Sequence, residues 1–338
     1  MKQVLESEGM DGVIRQWADI EQLYYTDLFV VRGRYESPLF RLQALLLDPV
    51  FETDKERELL NYLIENFESI IKTPPRGLYH ITQTFLDNGW QDIVTRREGA
   101  RLSSVGSKIL DAFSYERLRS NKLVKLAYYL NIKTCLYCNA QFTLVVHNAN
   151  KNLARFQFDH FFPKNKYPYL SISLYNLTPS CASCNQSKSK ETFTLDELVH
   201  PFNEDFQSLT HFEINQDAHN RLLQGALVPI NEINVSMSNT DEPRVRNQNR
   251  FTAIENIYKR HIDIVKEIYL KAYAYRNGGK EALMNLEHNG ERLFASEDEI
   301  EWLLLANYKQ VSDINKRPLA KFMQDIAKQA GLIKHIIP

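Results

Sequence analysis

The sequence lacks any apolar run approaching the roughly 20 residues that a membrane-spanning helix needs. Its N-terminal segment, Met1 to Ile20, carries acidic side chains and no continuous apolar block, so neither a secretory signal nor a transit peptide is apparent. Internal repeats and low-complexity tracts are also missing. Hydrophobic content of 43% and charged content of 25% are ordinary for globular proteins. We therefore expect a cytoplasmic protein without membrane contact, in which 338 residues fill two or three packed units.

The chain also carries almost no net charge, −1 at pH 7, which argues against a surface that is basic throughout. Between Lys122 and Lys190 the one acidic residue is Asp159, and the nine basic residues are Lys122, Lys125, Lys133, Lys151, Arg155, Lys164, Lys166, Lys188 and Lys190. A segment with that surplus suits contact with phosphates, because phosphate binding is largely electrostatic. A set of solvated basic loops accounts for the charge equally well, so the charge alone leaves nucleic-acid binding open.

Cysteine is scarce, and the four that occur form two Cys-x2-Cys pairs, Cys135 with Cys138 and Cys181 with Cys184. In a reducing compartment such pairs indicate a zinc site rather than disulfides. Four thiolates around one Zn2+ make a closed tetrahedral site, which is structural and not catalytic. Unpaired thiols buried in a core are the alternative, but they do not explain the repeated spacing. Since the elements between the pairs are short, we expect their geometry to depend on the metal.

A set of polar residues stands between and after the cysteine pairs. Its members are Asp159 and His160, Asn176 in the segment Tyr175–Pro179, Asn185 directly after Cys184, and Lys188. In this order the pattern resembles the motif of HNH endonucleases in their zinc-supported form, with asparagine in place of the final histidine. The resemblance covers roughly residues 130–192. It implies a ββα-metal core, in which two strands and a helix clasp a divalent ion.

The segment after this motif adds a narrower resemblance. Leu198-Val199-His200-Pro201-Phe202 is similar to a segment of HNH nucleases from bacterial phage-defence operons of the Septu and retron type. That resemblance implies an ATPase partner that gates the nuclease.

The resemblance also implies roles for individual residues. Asp159 and Asn185 hold a catalytic Mg2+, with Mn2+ or Zn2+ as alternatives, because hard divalent ions prefer oxygen ligands. His160 is the expected general base, which takes a proton from the water that attacks phosphorus. Asn176 is expected to tether the loop that orients His160. Taken singly, each of these residues has a plainer explanation. Asp159 could be a loop cap and Asn185 a helix N-cap. His160 could be a structural or metal-binding histidine, and Asn176 an ordinary turn asparagine.

Three lysines are candidate nucleic-acid contacts. Lys188 lies one helical turn after Asn185, within reach of the scissile or a flanking phosphate. Lys164 and Lys166 are DNA-contact candidates in the segment after His160. For each of these lysines, a solvated surface position is the alternative.

The sequence pattern predicts a mainly helical α+β fold. Residues 1–130 form a helical N-terminal region, and residues 131–200 form the nuclease core with its Zn(Cys)4 site. Residues 201–338 form a mainly helical C-terminal α+β region, in which Phe251–Tyr275 predicts one long amphipathic helix.

Within the core, two runs rich in β-branched and aromatic residues, Phe142–Val146 and Leu153–Phe158, predict a hairpin. This hairpin places Asp159 and His160 just beyond the end of its second strand. The second cysteine pair then opens a helix that carries Asn185.

These patterns predict a metal-dependent HNH endonuclease that hydrolyses phosphodiester bonds in DNA, acting in anti-phage defence. Two alternatives stay open. One is a non-catalytic zinc module that binds nucleic acid or scaffolds a complex, which would make Asp159, His160 and Asn185 incidental. The other is cleavage of RNA. The sequence leaves the oligomeric state undecided.

Overall fold

The computed structural model describes residues 6–10, 14–30, 35–98, 101–102, 104–119, 122–148, 151–188 and 191–333. Over these ranges the fold is α+β and mostly helical, with small antiparallel sheets, which confirms the predicted fold class at that level. None of the helices in these ranges combines the length and the apolar character needed to cross a bilayer.

The described residues form two compact units, and their boundaries differ from the three regions predicted. The amino-terminal unit contains the residues up to Ile132 together with Thr143–Asn203. The carboxy-terminal unit contains Lys133–Phe142 together with the residues from Glu204 onward. The segment around the first cysteine pair therefore groups with the part of the chain from Glu204 onward, an association that no local pattern predicts.

Helices account for most of the amino-terminal unit before residue 131. They are α1 (Trp17–Asp27), α2 (Pro38–Ala44), α3 (Asp54–Glu65), α4 (Phe67–Lys72), α5 (Pro75–Asp87), α6 (Trp90–Thr95), α7 (Ser104–Phe113), α8 (Tyr115–Arg119) and α9 (Lys122–Leu130). Two short antiparallel pairs accompany them, β1 (Glu6–Glu8) with β2 (Ile14–Gln16) and β3 (Arg97–Glu98) with β4 (Arg101–Leu102). Capping chemistry sets the start of α3, because the Thr53 hydroxyl accepts from the Glu56 amide while the Glu56 carboxylate accepts from the Thr53 amide.

The buried faces of these helices support the long loop of the candidate site. Tyr169 in that loop stacks on Phe85 of α5 with ring centroids 3.5 Å apart. Its hydroxyl donates to the Gln91 side chain of α6 at 2.9 Å. From the other side, the Tyr24 hydroxyl of α1 donates to the Ile172 carbonyl at 2.8 Å. The loop is therefore anchored to three helices at buried positions.

Two antiparallel pairs and one helix complete this unit. They are β5 (Val145–Asn148) with β6 (Lys151–Ala154), β7 (Gln157–His160) with β8 (Leu177–Ser180), and α10 (Ala182–Lys188). The predicted hairpin is present as β5 and β6. However, Asp159 and His160 lie inside a separate strand, β7, and not directly after the second strand of the hairpin, which ends at Ala154; this corrects that prediction. Asp159 and His160 are in a strand because β7 pairs with β8. The sequence did not predict β8, since its Pro179 is unfavourable in a strand.

The carboxy-terminal unit contains short helices and two small sheets. Its helices are α11 (Phe206–Leu209), α12 (Gln216–Leu223), α13 (Pro243–Thr252), α14 (Ile254–Tyr258), α15 (Ile262–Ala274), α16 (Lys280–Met284), α17 (Glu297–Leu305) and α18 (Ala320–Gln329). Its strand pairs are β9 (Phe212–Ile214) with β10 (Val235–Met237) and β11 (Glu287–His288) with β12 (Glu291–Arg292).

The single helix predicted over residues 251–275 is wrong. The chain breaks at Ala253, which takes a left-handed conformation with φ of 52°. The Thr252 hydroxyl then accepts a hydrogen bond from the Ile254 amide at 3.2 Å. A local hydrogen bond thus competes with the helical pattern, even though the apolar spacing continues across the break.

Buried hydrogen bonds within the carboxy-terminal unit hold the first cysteine pair. The Tyr258 hydroxyl donates to the Cys138 carbonyl at 2.7 Å, and the Gln248 side chain donates to the Tyr137 carbonyl at 2.6 Å. Asn139, left-handed with φ of 50°, donates through its side-chain amide to the Ile314 carbonyl at 2.8 Å. The conformation of this tight turn therefore depends on residues far along the chain.

Candidate active site

The four cysteines that the sequence marks as zinc ligands lie together. Their Sγ atoms are all within 4.8 Å of one another, and the four side chains are buried and free of disulfides. With Zn–S distances of about 2.3 Å, the edges of a zinc–sulfur tetrahedron are about 3.8 Å long, so this cluster fits a metal such as zinc. Two backbone amides donate to sulfur at 3.5 Å, Ala140 to Cys138 and Cys184 to Cys181. Such bonds stabilise thiolates beside a metal.

His160 is the last residue of β7. Its Nε2 lies 2.8 Å from the Ser171 carbonyl oxygen. A carbonyl can only accept, so Nε2 carries the proton, and the neutral ring keeps its lone pair on Nδ1. The ring also packs edge-on against Tyr115, with ring centroids 4.5 Å apart. These contacts fix both the orientation and the tautomer of the imidazole.

The surroundings of His160 also keep it uncharged. Burial lowers the pKa of His160 to about 4, although the Ser171 carbonyl acts in the opposite direction by favouring the charged ring. The nearby Lys164 ammonium lowers the pKa further. His160 is therefore neutral at pH 7, with a nitrogen able to accept a proton.

Asp159 forms a buried ion pair. The Lys188 ammonium lies 2.9 Å from Asp159 Oδ2 and donates to the carbonyls of His160 and Phe161 at 2.9 and 3.1 Å. The Lys188 side chain is 0% exposed, and each of its three N–H groups has an oxygen partner inside the protein. The expectation that Lys188 contacts a substrate phosphate is thus corrected. Its side chain turns inward and ties α10 to β7.

Asn185 lies within α10, which begins at Ala182, so it is not the N-cap of that helix. Its side-chain NH2 group donates to Gln157 Oε1 at 2.6 Å, which leaves the amide carbonyl oxygen for another partner. Asp159 and Asn185 line the same pocket. Carboxylate and amide oxygens are the types of ligand that Mg2+ takes, so the chemistry of these two residues fits the expected metal.

Asn176 is fully buried and joins the two ends of the loop between β7 and β8. Its Oδ1 accepts from the Phe162 amide at 2.7 Å, and its Nδ2 donates to the Phe162 and Leu170 carbonyls at 3.0 and 2.8 Å. Leu170 directly precedes Ser171, the partner of His160. These contacts are those expected of a loop tether.

Asp159, His160 and Asn185 line a pocket of about 240 Å³. Part of its wall comes from α8, which supplies Tyr115, Glu116 and Arg119, and Gln157 adds a further polar group. Sequence reasoning missed these residues. The α8 segment carries no motif and lies outside the predicted core, so no sequence signal would have identified them.

The two remaining lysine candidates have different surroundings. Lys164 lines the pocket, pairs with Glu116 Oε1 at 2.6 Å and lies 4.5 Å from the centroid of the Tyr115 ring. Lys166 is exposed, with its ammonium 5.4 Å from the centroid of the Tyr167 ring. Lys164 thus belongs to the pocket, whereas Lys166 is a surface lysine.

A scan against protein-family models finds no match for this chain, and neither the curated proteins nor the solved structures contain a match. The geometry of the pocket and the resemblance of the motif are therefore the observations that bear on function.

Proposed function

We propose that this protein is a metal-dependent HNH-type endonuclease that hydrolyses phosphodiester bonds in DNA. One observation supports this most directly: a neutral histidine of fixed tautomer, a buried carboxylate and an amide line one pocket, as His160, Asp159 and Asn185. Strand β7 carries His160 and Asp159, and helix α10 carries Asn185. Together with β8, which pairs with β7, these elements follow one another in the strand–strand–helix order that the resemblance implies.

His160 acts as the general base in this mechanism. Its Nε2–H stays bonded to the Ser171 carbonyl, so Nδ1 takes the proton of the attacking water. As the new bond from the water oxygen to phosphorus forms, the bond to the leaving oxygen breaks. The charge that develops on the ring is stabilised by the Ser171 carbonyl and by the neighbouring Asp159 carboxylate.

Asp159 and Asn185 would hold the divalent ion. When bound, Mg2+ supplies positive charge that offsets the charge developing on the phosphate and on the leaving oxygen. Lys188 fixes the Asp159 carboxylate through Oδ2, which restricts the directions in which the other carboxylate oxygen can face. The second cysteine pair brackets the first turn of α10, so a zinc ion there would set the position of Asn185.

The narrower resemblance extends the proposal to a partner. We propose that an ATPase of a phage-defence complex gates this nuclease. Addition of that partner and ATP is then expected to change the rate of DNA cleavage, which a plasmid assay measures.

Cleavage of supercoiled plasmid by the purified protein tests the proposed activity. We expect nicked or linear products with Mg2+ or Mn2+ and none with EDTA. His160→Ala is expected to cut at least about 100-fold more slowly, because a positioned base contributes about 10²–10⁴-fold. His80→Ala replaces an exposed histidine of the same unit and is the matched control, which should cut like the wild type.

Equal cutting by His160→Ala and the wild type would contradict this mechanism. A folded, zinc-loaded protein that cuts neither DNA nor RNA, with or without the ATPase, would favour the non-catalytic zinc module. Cutting of RNA alone would reassign the substrate.

A further inference from the structure

A second pocket of about 260 Å³ adjoins the candidate active site. The two pockets share a wall that is formed by Tyr115, Glu116 and Lys164. Beyond this wall the second pocket is lined by Arg41 of α2 and by Arg117 of α8, and we call it the arginine pocket. All of these residues belong to the amino-terminal unit, so the two pockets lie side by side on one packed body.

The positive charges of the arginine pocket are only partly offset. Lys164 and Glu116 neutralise each other at 2.6 Å. In the part of the chain that the structure describes, no ion pair is seen for Arg41 or Arg117. Asp111 also lines the pocket without pairing with either arginine.

The two arginines are close enough to affect each other. Burial, and after it the charge of Arg117, lower the pKa of Arg41, while Asp111 and Glu36 act in the opposite direction. Two like charges held side by side are unfavourable until an anion binds between them. A guanidinium group is also suited to phosphate, because its planar fork donates two parallel hydrogen bonds.

We infer that the arginine pocket binds a backbone phosphate of the DNA strand next to the phosphate that is cleaved at His160. This inference depends on the proposed function for the identity of the neighbouring site. A polynucleotide fits better than a free phosphate ion because its phosphates repeat along one chain, and the two pockets share a wall. Arg41 and Arg117 would then hold the strand while the scissile bond lies beside His160.

Binding of a fluorescein-labelled DNA oligonucleotide without added divalent ion tests this site without requiring cleavage. Arg117→Gln and Arg41→Gln are each expected to weaken binding severalfold. Each should also reduce the magnitude of the slope of log association constant against log salt concentration by about one, because one phosphate contact is lost. Arg117→Lys keeps the charge and should retain most of the slope. Arg76→Gln, which replaces an exposed arginine that lines neither pocket, should bind like the wild type.

The outcomes separate this inference from the proposed nuclease activity. Unchanged affinity and salt slope in Arg117→Gln, an exposed position whose replacement should not disturb folding, would overturn the inference whether or not the wild type cuts DNA. Displacement of DNA by inorganic phosphate, at matched ionic strength, would show a phosphate-ion pocket and overturn the strand assignment. Tighter binding of RNA with the same arginine dependence would overturn the assignment to DNA. Weaker, less salt-dependent binding in both variants, with no cleavage by the wild type, would support DNA binding at the arginine pocket while the nuclease proposal fails.

Discussion

At the scale of single residues, the candidate site is organised around a buried ion pair, Lys188 with Asp159. Removing two charges from water is costly, and the pair tolerates burial because the remaining Lys188 hydrogens bond the His160 and Phe161 carbonyls. The same contacts hold α10 against the end of β7. The pair therefore connects the positions of the proposed metal ligands to that of the proposed base.

Replacing Lys188 with methionine is expected to lower the free energy of unfolding by about 3 kcal/mol or more, because Asp159 would lose the cation that balances its buried charge. Urea unfolding followed by circular dichroism measures the change. Lys108→Met is the matched control: it removes an ion pair with Asp48 from a lysine of the same unit whose side chain is 45% exposed. That change should cost no more than about 1 kcal/mol. Equal losses in the two variants would contradict the importance of the buried pair.

His200 is expected to make the free energy of unfolding depend on pH. It is buried beside Phe161, and the Phe202 amide donates to its Nδ1 at 3.3 Å. Burial, and after it the nearby Lys188 charge, lower the pKa of His200 to about 3. In the unfolded chain the pKa is about 6.5. Between these values the unfolded state binds a proton that the folded state does not, so the free energy of unfolding falls as pH falls below about 6.5.

His200→Asn tests this dependence, because asparagine keeps an acceptor for the Phe202 amide and does not titrate. The slope of unfolding free energy against pH should become shallower, by up to about 1.4 kcal/mol per pH unit between roughly pH 4 and 6. Urea midpoints at several pH values provide the measurement. An unchanged slope would mean that His200 does not contribute to the pH dependence of stability.

The proposed ligands and base were predictable from sequence because the motif fixes both residue type and spacing. The role of Lys188 was not, since spacing places it on α10 but does not show that its side chain turns inward. The presence of Arg117 and Tyr115 at the pockets could not be predicted from the sequence, for a different reason. Only packing of α8 brings them to the pocket.

At the scale of elements, the site consists of two paired strands, the loop between them and one helix. In the register of β7 and β8, Asp159 lies opposite Thr178 and His160 opposite Leu177. The loop returns to the strand end through Asn176. The position of His160 therefore depends on the pairing register and on the tether together.

Asn176→Ala is expected to loosen the loop and lower both stability and activity. The buried Phe162 and Leu170 backbone groups would lose their partners, at a cost of about 1–3 kcal/mol for each unsatisfied group. Thermal unfolding and plasmid cleavage measure the two effects. Asn88→Ala removes an exposed amide that donates to the Thr84 carbonyl, and it should change neither quantity appreciably. A variant with unchanged stability and activity would exclude the tether.

Elements were predictable where the cause is local. The capping box of α3 and the cap at Ser296, which accepts from the Glu299 amide at the start of α17, depend on residues three apart. The break at Ala253 was missed because an uninterrupted apolar spacing crosses it. Strand β8 was missed because its only evidence is its pairing with β7.

At the scale of the whole molecule, the chain contributes to the carboxy-terminal unit twice, first with Lys133–Phe142 and then from Glu204 onward. The turn around Cys138 is held by Tyr258, Gln248 and Asn139 contacts inside that unit. The predicted boundary at residue 200 would therefore separate this turn from the residues that hold it in place.

A truncated chain that ends at Asn203 is therefore expected to bind zinc more weakly than the full chain. The full chain should contain about one zinc per molecule by metal analysis, because four thiolates form one closed site. Competition with a colorimetric chelator compares the two affinities. Tyr258→Phe in the full chain, which removes one supporting hydrogen bond, should fall between them. Equal zinc retention by the truncated chain would show that the turn needs no such support.

The support of Asn139 by distant backbone also has a consequence during synthesis on the ribosome. The Asn139 carbonyl accepts from the Leu319 amide, and its side chain accepts from the amide of Lys321, which lies 182 residues later in the chain. At about 5–20 residues per second, roughly ten to thirty-five seconds of translation separate the turn from these partners. The turn that carries the first cysteine pair is thus expected to reach its final conformation only after Leu319 and Lys321 have been synthesised, so that the cysteine site of a nascent polypeptide stays incomplete until then.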